Sequence, residues 1–382
     1  MLFIALFIII LLLVLGVHFT YPLLLKRLSK KDIGVIYNNW KEIDSPSNLP
    51  KVSILIPVYN EELSIKRRIN NILESKYPKD KLEIIVIDSG SNDKTRSIVE
   101  SNFKDRVTLI TEQVRRGKAH AINLGLQSSK GDIIILTDGT TFYDKETILQ
   151  LVSSFEDNTI GAVSALYDVP NSNESHVTSS ERKFWSIKDK VRILESKIHS
   201  TSWLSGEACA FRNKLIHEVH EDTLADDSNI ALQVISKGYR TEVNHNARFM
   251  ERSPTQFSDY IKVKSRRALG GLIETIRFRC LLFNREYGYF GTIIFPYRFY
   301  VCLISPILSC VLIALSILAA LEIISYVGLY TTSLIGVTLI AIAIVLRATI
   351  ITYFYTQLFT IIALIWLLRG NVDVRWTRSK TR

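Results

Sequence analysis

Hydrophobic positions fall into three regimes along the chain. From Leu2 to Leu25 they run almost unbroken, interrupted by His18 and Pro22. Between about Lys51 and Pro254, short apolar runs alternate with helical periodicity. From Tyr300 to Leu368 the chain is mostly apolar again. The first regime is long enough to cross roughly 30 Å of hydrocarbon. A cleaved signal peptide fits it poorly, because no basic segment precedes the run and no small-residue cleavage site is evident. It therefore predicts a membrane anchor over residues 1–27. At the other end, Tyr300–Leu321, Val327–Leu346 and Ala348–Leu368 are each long enough to cross, with Arg347 marking a break. Two or three transmembrane helices are expected within 299–368.

The middle regime reads as strands and helices in alternation. Val52–Ile56 is a buried-strand run ended by Pro57. Leu63, Ile65, Ile69, Ile72 and Leu73 put one apolar face on a helix over Glu61–Ser75, which Pro78 closes. Leu82–Ile87, Val107–Thr111 and Ile133–Thr137 are further strands, with helices from about Lys94 and over Lys118–Gln127. This rhythm predicts an α/β fold: a doubly wound, mostly parallel sheet with helices on both faces. The sheet domain is expected over 50–255, followed by an interface region over 256–298. Val191–Ile198 and Leu272–Phe283 are amphipathic, suited to a bilayer surface or, for the first, to a core.

Charge adds orientation. The net charge is +10, concentrated beside the apolar runs and within 262–298. Lys26, Arg27, Lys30 and Lys31 follow the first run, so the middle of the chain is expected in the cytosol and the protein in the plasma membrane. The basic tail, 369–382, would lie outside after three C-terminal crossings, against that rule; an even number removes the conflict. No basic helix carries a known reading motif, so nucleic acid is not an expected partner. Cys209, Cys280, Cys302 and Cys310 lack metal-ligand spacing and read as free thiols.

In doubly wound sheets ligands bind at the carboxyl ends of strands. Three such ends carry polar residues: Tyr59-Asn60-Glu61-Glu62, Asp88 through Asp93, and Asp138-Gly139-Thr140-Thr141. Asn60 and Asp93 each have a simpler reading as helix caps. Three acidic ends on one edge nonetheless predict a cleft for a base, a ribose and a metal-bound diphosphate.

The strings around these ends resemble the family 2 glycosyltransferases with their GT-A-type domain. They are VSILIPVYNEE (52–62), IVIDSGSNDKT (85–95), RRGKAHAINLGL (115–126), LTDGTT (136–141), SGEACAFR (205–212), ADD (225–227) and KSRRALGG (264–271). A dinucleotide-binding fold would carry G-x-G-x-x-G after the first strand, and none is present. The resemblance implies that Pro57, Tyr59 and Glu61 line the base pocket and that Asp88 accepts hydrogen bonds from the base. It implies that Lys118 approaches the donor, against the plain reading of a solvated surface lysine. Asp138 would face a divalent cation, Mg²⁺ or Mn²⁺, bridging the donor phosphates. Thr140 stands where the family's Asp-x-Asp has its second acid, so a neutral oxygen replaces one charged ligand.

Asp226 and Asp227 resemble the family's Glu-Asp pair, whose second acid takes a proton from the attacking hydroxyl. Paired carboxylates raise each other's proton affinity, which suits a base. A helix N-terminus favouring acids is the plainer account. Arg266 and Arg267 fall where many membrane members carry Gln-x-x-Arg-Trp, with Val263 in the Gln position and Arg267 in the Trp position. Arg266 keeps the planar fork that holds a diphosphate. The missing Gln and Trp count against a processive polymerase. The resemblance thus implies inverting transfer of a sugar from a UDP- or GDP-sugar to a lipid or lipid-linked glycan acceptor. A processive synthase and a catalytically silent nucleotide-sugar-binding membrane protein are the alternatives.

Overall fold

The computed structural model describes residues 2–31, 49–345 and 347–370, with side chains described except at 31 and 327–354. The basic tail beyond Gly370 lies outside the described residues.

Burial on both faces explains why the first strand reads as an unbroken apolar run. In β1 (Val52–Val58), Ile54, Ile56 and Val58 pack on one side with Ile65, Ile69 and Ile72 of α2 (Ile65–Leu73), the chain's second helix after α1 (Leu2–Lys31). Leu55 points the other way, with Ile85 and Ile87 of β2 (Leu82–Asp88). The chain continues through α3 (Thr95–Phe103), β3 (Thr108–Thr111), α4 (Lys118–Ser128), β4 (Ile133–Leu136), β5 (Phe142–Tyr143) and α5 (Thr147–Ser153). Next come β6 (Ile160–Asp168), α6 (His176–Ile198), β7 (Cys209–Arg212), α7 (Asp226–Ser236) and β8 (Arg240–Met250). The sheet order is β3-β2-β1-β4-β7-β6-β8-β5. The first four strands are mutually parallel and β6 is parallel to β8; β7 runs antiparallel to both neighbours, and β5 to β8. The sheet is therefore mostly parallel but mixed. Helices cover both faces: α2, α3 and α5 share one core, and α4 and α7 the other.

The predicted helix over 61–75 begins only at Ile65. Asn60 takes a left-handed φ of 55° and lies between two loops. Its backbone N–H donates to Ser91 Oγ at 2.9 Å, and its Oδ1 accepts from the Asn92 N–H at 2.8 Å. Asp93 accepts from the Glu62 N–H at 3.1 Å as well as from the Thr95 N–H at 2.9 Å. Both residues thus lace the ends of β1 and β2 together, and only Asp93 also serves its own helix.

Beyond β8 lie α8 (Phe257–Arg277), α9 (Phe295–Phe299) between two π-turns, α10 (Ser305–Val345) and α11 (Arg347–Leu368). Leu2–Lys30 and Phe290–Tyr326 are long and apolar enough to cross a membrane. Two of the expected C-terminal crossings form one continuous helix, α10, with no break at 322–326. Glu322, the polar group in that gap, accepts from the Ile4 N–H at 3.1 Å, so its charge is engaged without a turn. α1 is fastened to α6 by the Tyr21 hydroxyl, which donates to Glu195 Oε1 at 2.7 Å. Leu272 and Leu281 of the second amphipathic stretch are fully buried, so the chain itself covers that apolar face.

Candidate active site

A cavity of ≈ 2180 Å³ opens at the carboxyl edge of β1 and β4, under α6 and α8. Lys118 starts α4, and its ammonium lies between two carboxylates: 2.8 Å from Asp138 Oδ1 and 3.1 Å from Asp226 Oδ2. Burial opposes its charge, but Asp138 and Asp226 more than offset that and hold its pKa well above the ordinary lysine value. The solvated-surface reading of Lys118 is therefore set aside. Gly206 makes this contact possible: a Cβ there would sit 3.3 Å from Asp226 Oδ2 and 3.8 Å from Lys118 Nζ.

Asp226 and Asp227 open α7, where acids suit the positive end of the helix dipole. Asp227 Oδ1 accepts from the Ser228 N–H at 2.7 Å. Burial, with the neighbouring Asp226 and Glu207 carboxylates, pushes the Asp227 carboxyl up to about 6. The helix start is fixed from α8. Buried Glu274 accepts from Thr223 Oγ1 and from Asn229 Nδ2, each at 2.7 Å. Gly270 lets α8 approach, since a Cβ there would meet Ala225 Cβ at 2.8 Å.

Arg267 Nη2 donates to Glu207 Oε1 at 2.6 Å, while Arg266 lines the cavity beside it. Thr140 Oγ1 donates to Glu251 Oε1 at 2.7 Å. The structure thus gathers Pro57, Glu61, Lys118, Asp138, Thr140, Asp226, Asp227, Arg266 and Arg267 around one cavity. Tyr59 and Asp88 are not among its lining residues. Arg115 lies 3.8 Å over the Tyr59 ring, and Asp88 Oδ1 accepts from the Ser91 N–H at 3.2 Å. Glu207, Glu251 and Lys188 line the cavity without having been singled out from the sequence. Glu207 could have been found, since it sits inside the SGEACAFR string.

The oxygen donors here can be weighed for a divalent cation. Asp138, Thr140 and Glu251 offer a carboxylate, a hydroxyl and a second carboxylate, with no sulfur or imidazole among them. Among the described residues no group of three or more His, Cys, Asp or Glu could hold a metal by itself. This set fits Mg²⁺ or Mn²⁺, which take one or two carboxylates and complete their shell from substrate phosphates and water.

Residues 53–219 match the family described as glycosyl transferase family 2. Those residues form a glycosyl transferase family 2 domain. A probable glycosyltransferase of Bacillus subtilis, YdaM, is 27% identical over 260 residues, 64% of this chain and 60% of that protein. Poly-beta-1,6-N-acetyl-D-glucosamine synthase of Staphylococcus aureus is 24% identical over 228 residues, 58% of this chain and 55% of that protein. The chain thus spans between half and two thirds of these relatives. A solved structure, mannosyltransferase PcManGT from Pyrobaculum calidifontis in complex with GDP-Man and Mn²⁺, is similar with a TM-score of 0.78 and 26% identity. That likeness covers 96% of this chain and 99% of the other, so it takes in the apolar helices as well as the glycosyltransferase domain. The match to the family ends before Asp226, Asp227 and Arg266, which α7 and α8 bring back to the strand ends.

Proposed function

We propose that the chain is a membrane-bound inverting glycosyltransferase that moves a sugar from a UDP- or GDP-sugar to a lipid-linked or membrane-presented acceptor. One observation carries this reading. The cavity that holds Asp138, Asp226 and Asp227 is also walled by Leu11 and Val14 of α1 and Leu312 and Ile313 of α10. An acceptor anchored in hydrocarbon can therefore reach the carboxylates without leaving the membrane surface. The basic residues after α1 favour a cytosolic glycosyltransferase domain at the plasma membrane. GDP-mannose is the first donor to try, since the similar mannosyltransferase binds GDP-Man with Mn²⁺.

In this mechanism an acceptor hydroxyl attacks the anomeric carbon opposite the diphosphate, inverting the centre. Asp227 accepts the hydroxyl proton as the new C–O bond forms. Its raised pKa suits that task, and Asp226 is held by Lys118. The bond from the anomeric carbon to the diphosphate oxygen breaks, and the nucleoside diphosphate leaves with the electron pair. Lys118 and Arg266 meet its negative charge, the latter through its planar fork. Mg²⁺ or Mn²⁺ held by Asp138, with Thr140 as a neutral oxygen, would supply Lewis-acid neutralisation of the same leaving group. Pro57 and Glu61, which line the cavity, hold the base and ribose side, and Arg267 buttresses Glu207.

The partial similarity to the poly-N-acetylglucosamine synthase favours a second reading, a processive polysaccharide synthase. Native membranes bearing the full chain, given radiolabelled GDP-mannose or UDP-N-acetylglucosamine with Mg²⁺ or Mn²⁺, separate the readings. Label in a solvent-extractable lipid supports single transfer, and label in long polymer supports the synthase. No incorporation from any sugar nucleotide tried would favour a catalytically silent binding protein.

A further inference from the structure

We propose that the cavity contains an anion subsite centred on Lys188, which takes the phosphate of a lipid-borne acceptor. Lys188 lies on α6 and lines the cavity. Its ammonium is 4.6 Å from the Trp203 ring and 4.7 Å from the Trp185 ring. Among the described residues it has no carboxylate within ion-pair distance and no hydrogen-bond partner. Its neighbours differ. Lys118 has two carboxylates, Lys264 has Glu181 at 2.7 Å, and Arg192 has Asp189 at 2.7 Å. A partly buried ammonium held over aromatic faces is stabilised only in part, because ring quadrupoles replace little of its lost hydration. Burial, with repulsion from Arg192 and Lys264, outweighs the more distant attraction of Asp227 and pushes Lys188 down to about 7. An incoming phosphate supplies the missing counter-charge.

The shape of the wall selects the source of that phosphate. Along α6, Ile187 and Val191 flank Lys188 and also line the cavity, facing the same space as Phe19 and Leu15 of α1. Val191 packs in the cluster that joins α6 to Tyr21 and Leu25 of α1. A head group at Lys188 thus has an apolar path for its tail along α1, and the acceptor's sugar end is directed towards Asp227. The donor diphosphate is served by a different lysine, Lys118, held between Asp138 and Asp226. This assignment deepens the transferase reading and rests on it only for the role of acceptor, since lipid-phosphate binding can be measured without turnover.

The test uses the full chain in neutral-lipid nanodiscs, titrated with farnesyl phosphate, farnesol and inorganic phosphate while tryptophan fluorescence is read beside Lys188. Farnesyl phosphate is expected to bind at least about tenfold more tightly than either control, as a charge-assisted contact implies. Lys188→Met and Lys188→Gln should each erase most of that advantage, and Lys188→Arg should keep most of it. GDP-mannose binding with Mn²⁺, measured on the same samples, reports whether each variant is folded. Equal farnesyl phosphate affinity in wild type and in a folded Lys188→Met or Lys188→Gln overturns the subsite. Inorganic phosphate binding as tightly as farnesyl phosphate overturns the lipid assignment. Wild type that binds farnesyl phosphate but no sugar nucleotide counts against the transferase reading and leaves the subsite standing.

Discussion

The two walls of the cavity are charged in opposite ways. At the sheet edge nearly every acid already has a partner: Asp138 and Asp226 share Lys118, Glu207 holds Arg267, and Glu251 receives the Thr140 hydroxyl. The wall made by α6 carries Lys188 with no carboxylate in ion-pair contact among the described residues, beside Lys264 and Arg192, each paired with a carboxylate within the protein. A prepaired wall holds its geometry before a ligand arrives and exchanges partners when one binds. An unpaired cation instead awaits charge from outside. Asp227 sits between the two walls, with one backbone N–H as its direct partner among the described residues.

Removing Asp227 tests the boundary between the walls most severely. Asp227→Asn is expected to lower kcat by about 10³-fold, the scale of a lost general base, while donor affinity holds. Initial rates and donor binding in the same membranes measure both. The same change should stabilise the protein. The folded carboxyl titrates at about 6 against an ordinary 3.8, so the fold binds its proton more tightly than the unfolded chain does. Stability from this group is present below pH ~4 and lost as pH rises through about 6. At pH 8 Asp227→Asn should therefore be more stable by about 3 kcal/mol, and at pH 4 the two proteins should unfold together. The activity of the wild type should rise with pH across the same window, as the base loses its proton. A variant that keeps full rate at pH 8 would remove Asp227 from the chemistry.

Lys118 and Lys188 offer the sharper contrast, since one lysine is paired and the other is not. Lys118→Met leaves Asp138 and Asp226 facing each other without their cation. A loss of about 2 kcal/mol in stability and roughly 30-fold in donor affinity is expected. Adding Asp226→Asn should recover the stability but not the donor affinity. Lys188→Met removes a cation without a carboxylate partner, so its unfolding midpoint should not fall. Thermal unfolding of all three variants, read beside donor titrations, decides it. Equal destabilisation by both lysine changes would mean that the two walls are not organised differently.

The sheet wall was the legible one, for a physical reason. β1, β2 and β4 are buried on both faces, so their apolar runs stand out, and the residues following them fall on one edge by topology alone. Asp138 could be found this way, whereas Asp226 and Asp227, which open α7, were legible only through the ADD string that resembles the family's acidic pair. The α6 wall had no such signal, because 168–204 is rich in Ser and charge and its function depends on rings brought together in space. Glu251 was hidden for a related reason. It reaches Thr140 because β5 pairs with β8, setting Phe142 opposite Met250, a contact between segments over 100 residues apart. The separation of Tyr300–Leu321 from Val327–Leu346 followed from the length of each apolar run alone, and nothing in the sequence shows that the Ile4 N–H engages Glu322 so that the helix continues.

The Thr140–Glu251 pair allows the finest test. On the family's pattern an acid at position 140 should improve metal binding, so Thr140→Asp looks like a gain. The structure argues the reverse. Glu251 is 2% exposed and its Oε1 lies 2.7 Å from Thr140 Oγ1. An aspartate there would set a second, half-buried carboxylate against buried Glu251, favouring a shared proton and removing the hydroxyl donor. Thr140→Asp should therefore lower activity at saturating Mn²⁺ by about tenfold, while Thr140→Ser, which keeps the donor, stays within about threefold. Thr140→Asp combined with Glu251→Gln relieves the repulsion and should recover most of the loss, a coupling that a double-mutant cycle reads directly. Rates measured across a Mn²⁺ series separate weakened metal use from damaged packing. If Thr140→Asp alone outperforms the wild type, Glu251 is not the acid that balances position 140, and the sheet wall is less fully paired than its geometry indicates.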